Sequence, residues 1–234
     1  MKNKLNMNFP KVNFENRDTV LFSFERIAEK FAHTVYLKVN NASYRLVDFE
    51  FYAFGNALPD PHTYKHEQQL AFGKLYAHGS GIDITFGDGT NYCGMLVRSV
   101  VKLYEGTGPE SGFMKQQIEG PQNVATELLG NLYALTDGKP NDVTFVDIQG
   151  RNQDASFYPA KHVLSGKRIG LTPKPTDPED VFMNMRLRFV PVLPKFQEFK
   201  QSIRGVESLL TDLVKSGKLE TGVAHDILGY QKVF

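Results

Sequence analysis

Two neighbouring segments with the alternation of β-strands constrain the fold of this chain most strongly. Residues 34–39 alternate apolar and polar side chains, and a longer segment, 43–54, contains the run Val47-Asp-Phe-Glu-Phe-Tyr52. A period of two is typical of strands that bury one face. The Asn-Asn pair at 40–41 suits a tight turn between them. The sequence therefore predicts an antiparallel hairpin in the first quarter of the chain.

A helix is predicted immediately before this hairpin, over residues 22–31. Its apolar positions recur at helical spacing, at Phe24, Ile27, Ala28 and Phe31. Ser23 is expected to cap the N-terminus of this helix. Residues 1–22 are expected to form an N-terminal arm.

The rest of the chain predicts short strands and then helices. A loop with a short helical stretch is expected over 55–72. Further elements are predicted as strands at 73–76, 81–86, 92–103, 169–171 and 185–192, and as helices at 121–135 and near the C-terminus. Antiparallel hairpins followed by helices favour the α+β class. We expect one domain, 23–193, with a mostly antiparallel, curved β-sheet surrounded by helices, and a helical C-terminal extension, 194–234, packed on it.

Composition narrows the setting of the protein. The 234 residues are 41% hydrophobic and 23% charged, an ordinary globular balance. No apolar run approaches the roughly 18–20 residues that span a bilayer, and the first residues lack the apolar region of a secretory signal. The single cysteine, Cys93, lies in an apolar strand and fits a reducing compartment. We expect a cytoplasmic protein without membrane contact, with its oligomeric state left open.

Charge gives weak support to nucleic-acid binding. The formal net charge is only +1, whereas proteins that bind DNA usually carry a basic footprint. Residues 161–204 hold nine basic and four acidic side chains. Within them, the expected DNA contacts are Lys167, Arg168, Arg186 and Arg188. The alternative is an ordinary solvated face.

The polar face of the 43–54 strand is the first candidate for chemistry. Asp48, Glu50 and Tyr52 would share this face, opposite the apolar residues of the strand. Paired carboxylates near apolar surface tend to have separated pKa values, which suits proton transfer. We therefore expect Asp48 and Tyr52 to contact substrate beside Glu50. Alternatively, both acids are solvated on an exposed sheet face.

Aromatic and histidine side chains downstream suit a planar ligand. Tyr76 and His78 fall on one face of a predicted strand, and rings above carboxylates suit a nucleobase. His62 and His66 stand four residues apart, a spacing compatible with a metal, but no third ligand follows at a standard spacing. We expect neither a metal nor a cofactor, and His62 is then a polar residue of a loop or cleft.

Five motifs follow one another in an order shared with a known family. They are V-D-F-E-F-Y at 47–52, D-P-H at 60–62, F-G-K-L-Y-A-H at 72–78, M-L-V-R-S-V at 95–100, and R-I-G-L-T at 168–172 with R-L-R-F-V at 186–190. In that order they resemble V-E-x-E-A-Y, the histidine after it, G-x-L-Y-V-Y, V-L-I-R-A-L, and R-x-G-I with W-R-F-Y of the alkyladenine (3-methyladenine) DNA glycosylases. The resemblance extends from residue 23 to residue 192.

The resemblance implies a divergent N-glycosylase that flips an alkylated purine out of DNA and excises it. By position, Glu50 corresponds to the general base that activates water. Tyr52 and His62 correspond to residues that sandwich the flipped base, and His78 stands where the family has a further stacking tyrosine. No cofactor is implied, and DNA is the implied partner.

Two other functions remain open from the sequence. The same cleft is also suited to binding a nucleobase or another small planar ligand without catalysis. Alternatively, the helices within 195–234 dock a partner or a second copy of the chain, which would make this an interaction protein.

Overall fold

The fold is described here from a computed structural model over residues 9–103, 114–134, 137–147, 159–193 and 205–234. Its α-helices are α1 (Arg17–His33), α2 (Pro121–Gly130), α3 (Val181–Asn184), α4 (Val206–Lys215) and α5 (Thr221–Leu228), with a 3₁₀ helix at Glu67–Leu70. Its strands are β1 (Val35–Val39), β2 (Ala42–Phe54), β3 (Phe72–His78), β4 (Gly81–Phe86), β5 (Tyr92–Leu103), β6 (Met114–Glu119), β7 (Val143–Asp147), β8 (His162–Gly166) and β9 (Arg188–Val192).

The nine strands form one antiparallel sheet that is centred on β2 and β5. The main order is β3-β4-β5-β2-β1-β7. Strand β6 pairs with the second half of β5, and β9 pairs with β2 and β8. The sheet curls with helices on its faces, which confirms the single α+β domain that the sequence predicts.

Helix α1 covers the apolar face of the sheet. It begins earlier than the sequence predicts, because the Asn16 side chain accepts from the backbone N–H of Thr19 and caps the helix there. The prediction that Ser23 caps the helix is therefore wrong. Ser23 lies inside α1, where its hydroxyl donates to the Thr19 carbonyl at 2.7 Å. Part of the expected N-terminal arm thus belongs to the helix and its cap.

Over residues 47–52, the predicted alternation of β2 is confirmed except at Val47. Phe49 and Phe51 point into the main core, where Phe24 of α1 stacks on Phe51 with ring centroids 4.3 Å apart. Glu50 and Tyr52 lie on the opposite face, where they bond to each other. The ladder between β2 and β5 shifts register around Asp48. This irregularity moves Val47 out of the main core and into a second apolar cluster.

The second apolar cluster is formed by the C-terminal helices and the far side of the sheet. Leu209 and Leu210 of α4 and Leu228 of α5 are buried against Val47 of β2 and Val190 of β9. In the described residues 205–234, the buried apolar residues of these helices are therefore covered by their own chain. Among the described residues, no helix is both long enough and apolar enough to cross a membrane.

Several boundaries differ from those predicted. Residues 169–171 are a loop, not a strand, and the last strand begins at Arg188 rather than at residue 185. Strands β6, β7 and β8 were not predicted, because each is a short segment beside polar residues. Helix α2 ends at Gly130 rather than at residue 135.

Cys93 is a buried thiol, and burial raises its pKa well above the usual value.

The stacking of Phe24 on Phe51 predicts that two phenylalanines of α1 contribute very differently to the free energy of unfolding. Phe24 is fully buried, whereas Phe22 is 60% exposed. We expect Phe24→Ala to lower the free energy of unfolding by about 3–5 kcal/mol through cavity formation, measured by urea denaturation. The matched control Phe22→Ala should change it by less than about 0.5 kcal/mol. Similar losses in both variants would contradict this packing.

Candidate functional site

A cavity of about 410 Å³ lies beside the polar face of β2, where the ends of several elements meet. It is bounded by β2, β4 and β5, the loop before the 3₁₀ helix, the β3–β4 turn, the start of α2 and the loop after β8. Its lining residues are Tyr52, His62, Tyr64, Gln69, His78, Ser80, Asp83, Leu96, Arg98, Pro121, Ile169, Gly170, Leu171, Thr172 and Lys174. A volume of this size falls within the range of small-molecule binding sites.

Glu50 lies directly beneath this cavity and is fully buried. Its Oε1 accepts from the backbone N–H of Ile169 at 2.7 Å. Its Oε2 accepts from the Tyr52 hydroxyl at 2.9 Å and from Nη1 of Arg98 at 3.3 Å. All three donors belong to residues that line the cavity. The carboxylate is therefore connected to the cavity through its immediate neighbours.

Burial shifts the protonation of both Glu50 and Tyr52. Burial raises the pKa of Glu50; Arg98 opposes the rise, Asp48 adds to it, and the bonds from Ile169 and Tyr52 oppose it without cancelling it. Burial and the charge of Glu50 also raise the pKa of Tyr52, so its phenol remains protonated and donates. A carboxyl group with a raised pKa beside a ligand cavity is suited to proton transfer.

Asp48 lies deeper than the cavity and pairs with buried Arg188. Its two oxygens accept from Nε and Nη2 of Arg188, each at 2.8 Å, and Nε of Arg98 lies 3.7 Å from Oδ2. Burial acts to lower the pKa of Arg188, but the hydrogen bonds and charge of Asp48 outweigh it and raise that pKa. Asp48 is not among the lining residues. The expectation that it contacts substrate is corrected, because both oxygens serve this ion pair.

Arg168 is also buried, and it connects two loops that bound the cavity. It forms a two-pronged ion pair with Asp60, and both side chains are fully buried. Its guanidinium also donates to the carbonyl of Phe51 and lies 4.5 Å from the ring centroid of Tyr52. Asp60 in turn accepts from the backbone N–H of His62. This pair therefore holds the His62 loop and the loop after β8 against the end of β2.

Burial of Arg168 and Arg188 corrects the predicted DNA surface. Both guanidinium groups are paired with carboxylates inside the protein, so they are unavailable to phosphates. Lys167 is exposed and donates to Asn184, whereas Arg186 is half-buried and bonds Ser165. The basic segment therefore presents fewer cations than its sequence predicts, because two of its arginines neutralise acids of the site.

His62 lies on one wall of the cavity with an unused ring nitrogen. Its Nε2 is buried, yet no group of the described residues forms a hydrogen bond with it. Burial lowers the pKa of His62, which favours the neutral ring. Buried polar atoms generally form hydrogen bonds, so this nitrogen is suited to bond a ligand or a water molecule. His66, four residues later, stacks on Tyr76 and does not line the cavity.

His78 lines the cavity together with Tyr64, and its ring also contacts Tyr76. Its ring centroid lies 4.7 Å from that of Tyr64 and 5.1 Å from that of Tyr76. Tyr64 is 56% exposed at the rim, and its hydroxyl lies 2.5 Å from Ser80 in the β3–β4 turn. Tyr76 is half-buried and lies outside the lining of the cavity, so its contact with substrate stays a prediction.

Sequence reasoning missed several polar side chains of the cavity, among them Arg98, Asp83, Gln69 and Lys174. Arg98 lies in a motif that was compared with the family, but its contact with Glu50 depends on the pairing of β2 with β5. Asp83 and Gln69 bond to each other, and their sequence spacing carries no recognisable signal. Lys174 contributes an exposed cation at the rim from a proline-rich loop.

Comparison with known proteins gives similarity without an activity. No family model matches the chain. A protein of Acanthamoeba polyphaga mimivirus, described only as uncharacterised, is 27% identical over 220 residues that span 81% of this chain and 92% of the viral protein. The similarity covers most of both chains and assigns no function to either.

The buried pair of Asp60 and Arg168 predicts a large loss of stability when one partner is removed. We expect Asp60→Asn to cost about 3–5 kcal/mol, because it leaves a buried, unpaired guanidinium. The control Glu29→Gln, at an exposed contact with His33, should cost less than about 1 kcal/mol. The double variant Asp60→Asn with Arg168→Met should recover part of the loss. Chemical denaturation measures all three, and an Asp60→Asn value equal to the control would refute the proposed clamp.

Glu50 predicts a pH-dependent difference in stability. Its pKa in the fold is raised above the usual 4.5, so the folded state binds the proton more tightly than the unfolded chain. This contribution is fully present below about pH 4.5 and is lost as pH rises through the folded pKa. We expect Glu50→Gln to gain stability relative to the wild type as the pH rises from about 4.5 through the folded pKa of Glu50. Denaturation curves at several pH values test this; a constant or falling difference would count against it.

Proposed function

We propose that this protein is an N-glycosylase that releases a modified, alkylated purine from DNA. The observation that carries the proposal is convergence. Glu50, Tyr52, His62 and His78 are the positions to which the resemblance assigns the water-activating base and the stacking residues. They come from three separate parts of the chain, and they meet at or directly beneath one cavity.

The chemistry requires a carboxylate near the sugar. Breaking the bond between C1′ and the base nitrogen leaves an oxocarbenium-like centre, and the electron pair of that bond departs with the base. Water then adds its oxygen to C1′ while Glu50 accepts a proton from it. An alkylated, cationic base leaves as a neutral molecule, so no further acid is needed. The raised pKa of Glu50 makes its carboxylate a stronger acceptor for the proton of this water.

Base binding is supported by the aromatic lining of the cavity. Tyr52, His62 and His78 all contribute rings to this lining, and ring faces attract a delocalised positive charge. Flipping a nucleotide into such a cavity costs a few kcal/mol, and less at damaged pairs. Lys174 at the rim is the cation placed to meet a phosphate beside the flipped nucleotide.

A second candidate function is binding of a nucleobase without catalysis. Glu50 is fully enclosed, and both of its oxygens accept hydrogen bonds from the protein itself. Water reaches Glu50 only if the Tyr52 or Arg98 contact opens. A cavity that never opens in this way binds a planar ligand and leaves the glycosidic bond intact.

Base release from methylated duplex DNA at low salt tests the proposal. We expect the wild type to release alkylated purines, and Glu50→Gln to lower the rate by about 10²–10⁴-fold, the usual contribution of a positioned base. Glu67→Gln changes an exposed acid in the 3₁₀ helix and serves as the matched control that retains the wild-type rate. Circular dichroism checks that each variant is folded.

The outcomes separate the two candidate functions. Equal release by wild type and Glu50→Gln would exclude Glu50 as the base. No release by folded wild-type protein, together with saturable binding of nucleosides, would favour the non-catalytic cavity.

A further inference from the structure

Asp83 is the carboxylate of the cavity that no part of the proposed chemistry uses. It lies in β4 opposite Leu96 of β5, which also lines the cavity, and its side chain is 3% exposed. Its strand neighbours Ile82 and Ile84 point into the main core. The alternation of β4 therefore places this single acid on the cavity side of the strand.

Protein donors hold the Asp83 carboxylate in one orientation. Oδ2 accepts from Nε2 of Gln69 at 2.9 Å. The backbone N–H of Ser80 donates to Nδ1 of His78 at 3.2 Å, so Nε2 of the neutral ring carries the proton and donates to Oδ1 of Asp83 at 3.0 Å. A carboxylate has about four acceptor sites. Each oxygen therefore keeps accepting capacity, and both lie in a residue that lines the cavity.

Space for this arrangement depends on a close approach at Gly94 in β5. A Cβ there would overlap Oδ2 of Asp83 and the side-chain amide of Gln69. The glycine thus leaves room for the carboxylate and its donor, side by side, at the cavity wall.

Asp83 forms no ion pair with a lysine or arginine of the described residues. In the described part of the chain, the basic group within ion-pair distance of Asp83 is His78. The arginines of the site pair with other carboxylates, as described above. A carboxyl group that is almost buried is stabilised by further hydrogen-bond donors. Those donors are then expected from the ligand.

We propose that Asp83 selects nucleobases that present two adjacent N–H donors, an exocyclic amino group beside a ring nitrogen that carries hydrogen. The two donors match the two oxygens of a carboxylate, and the rings in the lining of the cavity suit a planar base. Bases that present an acceptor at either position meet repulsion from the fixed oxygens. The inference rests on the proposed use of the cavity as a nucleobase site, but not on cleavage.

Equilibrium binding of guanosine and inosine to the full chain, by titration calorimetry, tests the selection. The two nucleosides differ only in the 2-amino group, which stands beside the N1–H of guanine. We expect the wild type to bind guanosine about tenfold more tightly, since hydrogen bonds to charged groups contribute at least that factor. Asp83→Asn replaces one acceptor oxygen by a donor and should abolish the preference. Glu67→Gln, an exposed acid outside the cavity, should retain it.

The comparison within the wild type needs no variant, so a misfolded Asp83→Asn protein does not spoil the test. Equal affinities, tighter inosine, no binding of either nucleoside, or an unchanged preference in folded Asp83→Asn would each overturn the inference. Base release from DNA is read separately. Preference for guanosine without release would reject the glycosylase and keep Asp83 as a selector, whereas release without preference would do the reverse.

Discussion

Neutralisation of acids in the middle of the sheet is the constraint on which the rest of this structure depends. Strand β2 buries phenylalanines on one face and places Asp48 and Glu50 on the other, which is also enclosed. Isolated buried carboxylates are very costly. Arg188 and Arg98 reach them from β9 and β5, the two strands that flank this part of β2. The strand order and the charge balance therefore support each other.

The neutralisation of buried charges also determines which loops bound the cavity. Arg168 cannot be buried after β8 without an acid, and Asp60 is supplied by the loop that follows β2. Their pairing draws together two loops that are 108 residues apart in sequence. The backbone N–H groups of His62 and Ile169 both bond to acids of this network. Stability and the shape of the cavity thus come from one set of interactions, so they cannot be altered independently.

Local patterns predict the parts of this structure that depend on local physics. Alternation predicts that Phe51 and Glu50 lie on opposite faces of β2, and helical spacing predicts the buried stripe of α1. The misplaced residues depend on information elsewhere. Val47 lies on the opposite face of β2 from the one predicted, because the pairing with β5 shifts register. Arg168 is buried because Asp60 forms an ion pair with it. A basic segment has the same amino-acid composition whether its arginines lie on the surface or form buried ion pairs. Tertiary contacts alone distinguish the two cases.

Enclosure of Glu50 connects ligand binding with the chemistry proposed for it. Of the groups that cover its oxygens, the Tyr52 hydroxyl and the Arg98 guanidinium belong to side chains, whereas the Ile169 donor belongs to the backbone. A ligand that contacts Tyr52 touches the side chain whose hydroxyl bonds Oε2, and the Arg168 guanidinium lies 4.5 Å from the centroid of the same ring. Side chains rearrange far more readily than backbone held by a buried ion pair. Occupancy of the cavity therefore acts first on Oε2, and this is the oxygen through which water would reach Glu50.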